Sequence, residues 1–429
     1  MGKKKGINAE KVMLILLALM VLVGAIVISV LFTMRERNKP SLVAANRTII
    51  LNGNYLDTDH EIYSSPKRKA YWLPAEDTMR ELAVTFRQST NLSTVRFCLD
   101  ENSYELSPMS NKLYGCGKGN KKTLISDSGR FPVLSVNGTL YISTSFMQKH
   151  LDCSVDDLTD YDMSIAIIHH DSVRERLDAS WTEEKRIAHA FGGLGKKVYT
   201  ESAEAFMHNY DRGFRVFEVD LEYTSDGILV GAHSWNNNYL KKTFGYLRPD
   251  DDDGEWLTRA EFHELQQTTK YSPLTFNQMC QLLTTYSDAI LIIDGKYNDE
   301  ETVHREYADI LRTCQEYPGV ADRLIPTIYN QKMYSWVSDI YKWHSMIYMW
   351  YQLEPASFSP TNELKFAFSH GIPAVAYGDK RENELINNNE ARKYGIKTYV
   401  HTIDDEDIAM RLENDNVYGL ITNSLAPEY

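Results

Sequence analysis

An α/β fold, a TIM-type (β/α)8 barrel, is predicted for the C-terminal part of this 429-residue chain on three observations. Short apolar runs recur from Trp181 onward with helical segments between them: Arg186 to Ala190, Phe214 to Leu221, Ala289 to Asp294, Leu324 to Tyr329, Met346 to Tyr351, Pro373 to Tyr377, Lys397 to Thr402 and Gly419 to Thr422. Residues 183–429 hold them all, close to the ~250 residues typical of such a barrel. Polar groups stand at the C-terminal ends of the first runs, where a barrel keeps its active site: His189, then Glu218 and Asp220, then Asp294. Ahead of the barrel the sequence predicts a small α+β stalk domain and an N-terminal transmembrane helix.

The length alone implies two folded units and an appendage. A formal net charge of −13 argues against nucleic acid as a partner. Residues 1–11 read as a cytoplasmic N-terminus and 12–34 as the transmembrane helix. Val12 to Thr33 carries no charge and, at ~1.5 Å per residue, is about 33 Å long, enough to cross a bilayer core of ~30 Å. It is too long for a secretory h-region and lacks a convincing small-residue cleavage site. Lys3, Lys4, Lys5 and Lys11 before it narrowly outweigh Arg35, Arg37 and Lys39 after it. No other stretch of the sequence spans, so all folded mass lies on one side. The chain reads as a single-pass cell-membrane protein, its N-terminus cytoplasmic and its C-terminal domains extracellular.

Residues 40–171 form the predicted stalk. Thr48 to Leu51 before Asn52-Gly53, and Phe131 to Leu134 and Leu140 to Ile142 around Asn137-Gly138, are strand and hairpin signals. Thr78 to Phe86 and Ser143 to His150 read as short helices. This strand, Asn-Gly, strand, helix layout resembles the copper-amine-oxidase N-terminal-like stalk domains of Gram-positive surface proteins, which bind no copper. The resemblance implies a spacer lifting a catalytic domain off the membrane. None of the five cysteines has metal-site or C-x-x-C spacing, and the odd count leaves at least one thiol free or intermolecular. Cys98 and Cys116 could bridge in an oxidising compartment. His169-His170-Asp171 reads as a solvated linker into the barrel.

The barrel opens with Ile187 to His233. Between its first two strands lies a helical pattern, Ala203, Phe206 and Tyr210, closed by Gly213. Glu218 and Asp220 are two apart on a strand, so both leave the same face. Two carboxylates on the core-facing side of a buried strand repel each other and lose solvation, and a bound cation is the simplest relief. After the turn Thr224-Ser225-Asp226-Gly227 and the apolar stretch Ile228 to Ala232 comes His233. A lone strand histidine is usually structural, but two histidines and two carboxylates at consecutive strand ends favour a site.

These residues resemble the opening of the glycerophosphodiester phosphodiesterase family, whose barrel is also similar to that of phosphatidylinositol-specific phospholipase C. The family opens on Ala-His-Arg-Gly, a Pro-Glu-Asn-Thr turn, Glu-x-Asp, Thr-x-Asp-Gly and a final histidine. Here stand Ala188-His189-Ala190, Tyr199-Thr200-Glu201-Ser202, Glu218-Val219-Asp220, Thr224-Ser225-Asp226-Gly227 and His233. Ala190 departs from the family's arginine, and the turn differs. Asp294-Gly295-Lys296 resembles the family's Glu-x-Lys, and Thr402 with Gly419-Leu420-Ile421-Thr422-Asn423 resembles its closing strands, so the likeness covers residues 185–425. It implies a phosphoric diester hydrolase in which Glu218, Asp220 and Asp294 are metal ligands and Lys296 contacts phosphate.

Three carboxylates without thiol or imidazole ligands prefer a hard divalent cation, Mg²⁺ or Ca²⁺. His189 and His233 have the intrinsic pKa of an acid/base pair near neutrality. The substrate stays open between a free glycerophosphodiester, a phospholipid headgroup and a teichoic-acid-like glycerophosphate polymer. The nucleophile is either water or the substrate's own neighbouring hydroxyl. Ala190 supports an alternative, a catalytically silent barrel that binds glycerophosphate polymer as a surface module. The aromatic insertion Ser234 to Pro273 is placed for substrate recognition or packs against itself. Asp250 to Asp253 before Gly254 fails the calcium-loop pattern and reads as a solvated acidic tip.

Overall fold

The structure, a computed structural model, describes residues 40–427 apart from 68, 83, 90–93, 100–101, 108–111, 117–121, 128–131, 161, 171–176, 247–254, 269, 354–357 and 379–387, and further upstream residues 13, 20–27 and 29. Two compact units result: Met1–Thr48 with Leu56–Leu151, and Ile49–Tyr55 with Asp152–Tyr429. Among the described residues no helix is long and apolar enough to cross a membrane, and the expected span at 12–34 lies mostly outside them.

The first unit carries two five-stranded sheets. In one, Val133–Val136 and Thr139–Ser143 form the expected hairpin, with Asn137 and Gly138 at φ 51° and 88°, the conformation that an Asn-Gly two-residue turn supplies. The second runs in simple succession from Thr85–Gln88 to Lys122–Asp127. Helix Ala75–Glu81 ends before the expected limit at Phe86, which lies on a strand. Cys98 and Cys116 both pair in register with Ser103, from its two sides. One strand therefore separates them, and two spacings of ~4.8 Å exceed the ~7 Å reach of a disulfide. None of the five cysteines is in a disulfide.

The second unit is the barrel with a small sheet attached. Strands Cys153–Leu158, Ser164–His169, Thr48–Leu51 and Asn54–Tyr55 are neighbours in that order. Helix Asn388–Lys393 ties this sheet to the barrel: Arg392 donates to both Asp156 oxygens at 2.9 and 2.8 Å, and Lys393 lies 3.0 Å from Asp162. Gly53, at φ 80°, lies against the Tyr394 ring, where an added Cβ would come within 2.1 Å. Hence the boundary differs from the expected one at 171: residues 152–169 and 49–55 go with the barrel. His169 is the buried end of a strand rather than part of a solvated linker; Asp171 lies outside the described residues.

Eight parallel strands make the barrel: β1 (Arg186–Ala188), β2 (Val216–Tyr223), β3 (Ile290–Gly295), β4 (Leu324–Ile328), β5 (Ile347–Met349), β6 (Ala374–Gly378), β7 (Lys397–His401) and β8 (Gly419–Thr422). Closure runs through β8 onto β1, with Ala188 opposite Thr422, and through β1 onto β2, with Ala188 opposite Phe217. Helices cover the outer face of the sheet and side chains fill its inside, which is why most strands read as short apolar runs. Val216, Phe217, Val219 and Leu221 of β2 are all fully buried. Tyr348 and Tyr399 are also core residues, their hydroxyls donating to Glu363 at 2.6 Å and to the Glu184 carbonyl at 2.9 Å.

Strand Leu229–Gly231 extends β2 in antiparallel fashion, Leu221 opposite Gly231. The insertion after it folds into helices Asn237–Phe244 and Arg259–Thr268. Trp235, Tyr239, Leu240, Leu257, Phe262 and Leu265 bury one another there. Of the two expected roles, self-packing is thus present in the structure. The acidic run 250–254 lies outside the described residues.

Candidate active site

β2 and β3 set the acidic residues side by side. Asp220 and Asp294 are direct register partners at adjacent strand ends, and Glu218 points the same way one pleat earlier. One oxygen from each of the three lies within 4.8 Å of the others, and all three residues are buried. Glu218 accepts the Ala190 N–H at 2.9 Å through one oxygen; its other oxygen and Asp220 Oδ2 are buried without a partner. Lys296 donates to Asp220 Oδ1 and, at 3.0 Å, to Asp294 Oδ2. The Tyr329 hydroxyl also donates to Asp294, and the Tyr351 hydroxyl lies 3.2 Å from the same oxygen.

The charges in this cluster are unbalanced. Burial first, then Asp220 and Asp294, push the Glu218 carboxyl well above its ordinary value. Burial works on Asp220 in the same direction, but Lys296, His233 and His189 outweigh it and hold that carboxyl at about 2. Lys296 loses water too, yet Asp220 and Asp294 raise its pKa well above the ordinary value. Glu218, Asp220 and Asp294, with Glu201 buried beside Asp220, face one ammonium, and one oxygen each of Glu218 and Asp220 has no donor. An all-oxygen donor set with orphaned buried oxygens fits a hard divalent cation held by Glu218, Asp220 and Asp294.

His189 follows β1 on a 3₁₀ turn with Ala190 at φ 51° and Phe191 at φ 64°. The turn aims the Ala190 N–H at Glu218. Asp404 accepts from Asn423 Nδ2 at 2.8 Å and from the Asn423 N–H at 2.7 Å. This fixes the amide, so that Asn423 Oδ1, 3.0 Å from His189 Nδ1, can only accept. The proton therefore sits on Nδ1, and the basic lone pair is on Nε2, 3.8 Å from Glu218. His233 stands exposed at the rim of the same cavity. Loss of water on its inner side holds its imidazole below the ordinary value, with Asp220 opposing that shift.

All six residues singled out in the sequence, His189, Glu218, Asp220, His233, Asp294 and Lys296, surround one cavity of about 190 Å³. Tyr199, Tyr351, His401 and Thr402 share it. Tyr351 and His401 were not foreseen, although both sit at the C-terminal ends of barrel strands, where the same rule that found His189 applies. Glu201, read only as part of a turn, is fully buried with no donor to either oxygen, and the charges acting on it are foremost those of Asp220 and Glu218. Gly231 makes room for it: a Cβ there would lie 2.7 Å from the Glu201 Cβ.

A family model described as the glycerophosphoryl diester phosphodiesterase family matches residues 193–426, over half of the chain. The match begins just after His189. No curated protein matches the chain. Solved structures similar to it include a glycerophosphodiester phosphodiesterase from Parabacteroides distasonis, 16% identical over 56% of this chain and 92% of that one, TM-score 0.44. Another is the glycerophosphodiester phosphodiesterase of Thermotoga maritima, 19% identical over 56% of this chain and 94% of that one, TM-score 0.42. A third is a phosphodiesterase of Oleispira antarctica in complex with the product sn-glycerol-3-phosphate, 15% identical over 56% and 92%, TM-score 0.42. On the extent of the family match, the chain belongs to the glycerophosphoryl diester phosphodiesterase family, a family of hydrolases.

Proposed function

We propose that the chain hydrolyses phosphodiesters of glycerol, with His189 and His233 as the acid/base pair and Glu218, Asp220 and Asp294 holding Mg²⁺ or Ca²⁺. One observation carries this reading: two imidazoles, three buried carboxylates and one ammonium converge on a single cavity at the C-terminal end of the barrel. The ion, when bound, would neutralise charge on a nonbridging phosphate oxygen. His189 presents Nε2 to the cavity because Asn423 and Asp404 hold its other nitrogen. One histidine takes the proton of the attacking oxygen, from water or from a neighbouring substrate hydroxyl. As the P–O bond to the leaving group breaks, the other histidine gives a proton to the departing oxygen. Lys296 supplies positive charge in the same layer for a phosphate that must leave water.

The test is a screen of the full chain in detergent against glycerophosphocholine, phospholipid vesicles and poly(glycerophosphate), with and without EDTA. Turnover of at least one, lost with EDTA and restored by Mg²⁺ or Ca²⁺, is the expected result. Turnover indifferent to EDTA removes the ion from the mechanism. Inactivity toward all three overturns the enzymatic reading and leaves a polymer-binding barrel.

The same proposal places the barrel outside the cell, anchored by residues 12–34 and raised by the first unit as a stalk. The described part of that anchor supports it: residues 20–27 are helical, and Met20, Val21, Leu22, Val23, Ile26 and Val27 are each at least 50% exposed. A helix apolar on every side is at home in hydrocarbon rather than water. Substrates within reach are then lipid headgroups and wall-borne glycerophosphate polymers. An alkaline phosphatase fused after Tyr429 is expected to be active, because that enzyme works only outside the cytosol. An inactive phosphatase fusion, with a cytosol-dependent reporter active at the same position, overturns the topology.

A further inference from the structure

We infer that Tyr199 is a further catalytic residue, its hydroxyl donating a hydrogen bond to the substrate phosphate in a site where Ala190 offers no side-chain donor. The inference rests on the phosphodiesterase reading above. Tyr199 lies in the loop ahead of helix Ala203–Asp211, where the sequence shows only the departure of a turn from a family pattern. Its backbone is at φ 58°, a left-handed conformation that a bulky residue adopts only when its surroundings impose it.

Those surroundings are the two histidines. The Tyr199 ring stands 4.8 Å from the His189 ring at 84° and 4.6 Å from the His233 ring at 65°, edge to face with both. Its carbonyl accepts from the Tyr239 hydroxyl at 2.9 Å, and the same hydroxyl accepts from the His233 N–H at 3.3 Å. One tyrosine from the insertion thereby fixes the position of Tyr199 relative to His233. The phenol lines the cavity, with the Thr402 side chain in hydrogen-bonding reach of its hydroxyl.

The other donors are partly engaged. Lys296 is drawn to Asp220 and Asp294, and the Ala190 N–H is spent on Glu218. A phosphate within reach of both His189 and His233 meets a ring that touches both, and a neutral hydroxyl donates there without repelling either imidazole.

Two variants separate this role from ring packing. Tyr199→Phe keeps the ring against the histidines and removes the hydroxyl; Tyr199→Ala removes both. Full-length protein is assayed with glycerophosphocholine and with bis(4-nitrophenyl) phosphate, alongside the thermal midpoint and Mg²⁺ and Ca²⁺ affinity by calorimetry. Loss of a hydrogen bond to a charged group predicts a roughly 10- to 100-fold fall in kcat/KM for Tyr199→Phe, with native thermal midpoint and cation affinity. Native kcat/KM in Tyr199→Phe, with loss only in Tyr199→Ala, overturns the inference and leaves the ring a packing role. Inactivity of the unsubstituted chain toward both compounds and toward the polymer and vesicles overturns the phosphodiesterase reading and this inference together.

Discussion

Asp220→Asn is expected to lower divalent-cation affinity by at least ~100-fold and to abolish turnover with it, because the loss of an orienting outer partner alone costs ~10- to 100-fold. The carboxylate it removes is 1% exposed and sits at the centre of the cluster, with Glu218 one pleat before it and Asp294 directly across in register. Held at about 2, Asp220 is ionised throughout the physiological range. Asparagine fits the same volume, but its amide has only one oxygen. That oxygen must serve Lys296, which now bonds Asp220 Oδ1, and the NH2 group then falls where the unpartnered Oδ2 was. A donor at that point repels a cation. Titration calorimetry of Mg²⁺ and Ca²⁺ into the variant is the direct measurement. Affinity equal to that of the native chain would remove Asp220 from the metal centre, and a variant that loses turnover but keeps affinity would give it another role.

Much of the barrel could be read because its physics is local. Strands covered on both faces are mostly apolar, so β3 and β8 announce themselves within a few residues of their ends, and β2 does so with carboxylates interrupting its apolar run. The two Asn-Gly turns were visible for the same reason, since few residue pairs accept two successive positive φ angles. Of the attached sheet, the hairpin at Asn52-Gly53 is readable, but the sheet's place with the barrel is not. Its membership in the barrel unit depends on Asp156 meeting Arg392, and nothing near either residue encodes a pairing over that separation. The sheet from Thr85 to Asp127 also escaped notice. Of its first strand, Thr85, Arg87 and Gln88 are exposed, leaving little apolar periodicity to detect.

The site divides in the same way. His189, Glu218, Asp220, His233, Asp294 and Lys296 stand in short motifs, and the strand-end rule gathers them. What the motifs hide is pairing. The motif that suggests a phosphate contact for Lys296 says nothing of its bonds to Asp220 and Asp294, oxygens that a cation would also use. The orientation of His189 depends on Asn423 and Asp404, more than two hundred residues away, and only the folded barrel sets them beside it. Glu201 shows the limit most plainly: the sequence places it only in a turn, yet it is fully buried beside Asp220.

His189→Ala and His233→Ala are each expected to cost about 100-fold or more in kcat while leaving cation affinity near native, as removal of a general acid or base does. In the proposed site neither imidazole holds the ion, since the three carboxylates would supply the donors. His189 has its proton fixed on Nδ1 by Asn423, so its Nε2 is available to accept or return a proton at the substrate. His233 stands at the rim of the same cavity, and the Tyr199 ring touches both imidazoles. A displacement at phosphorus needs both, one for the attacking oxygen and one for the leaving oxygen. If they act as a unit, the double variant should be little worse than either single one, since the second loss removes a partner that is already useless. Steady-state kinetics on the three variants, with calorimetry as the control, measures this. Near-native kcat in either single variant removes that histidine from the mechanism, and fully additive losses would show that the two do not work in one step.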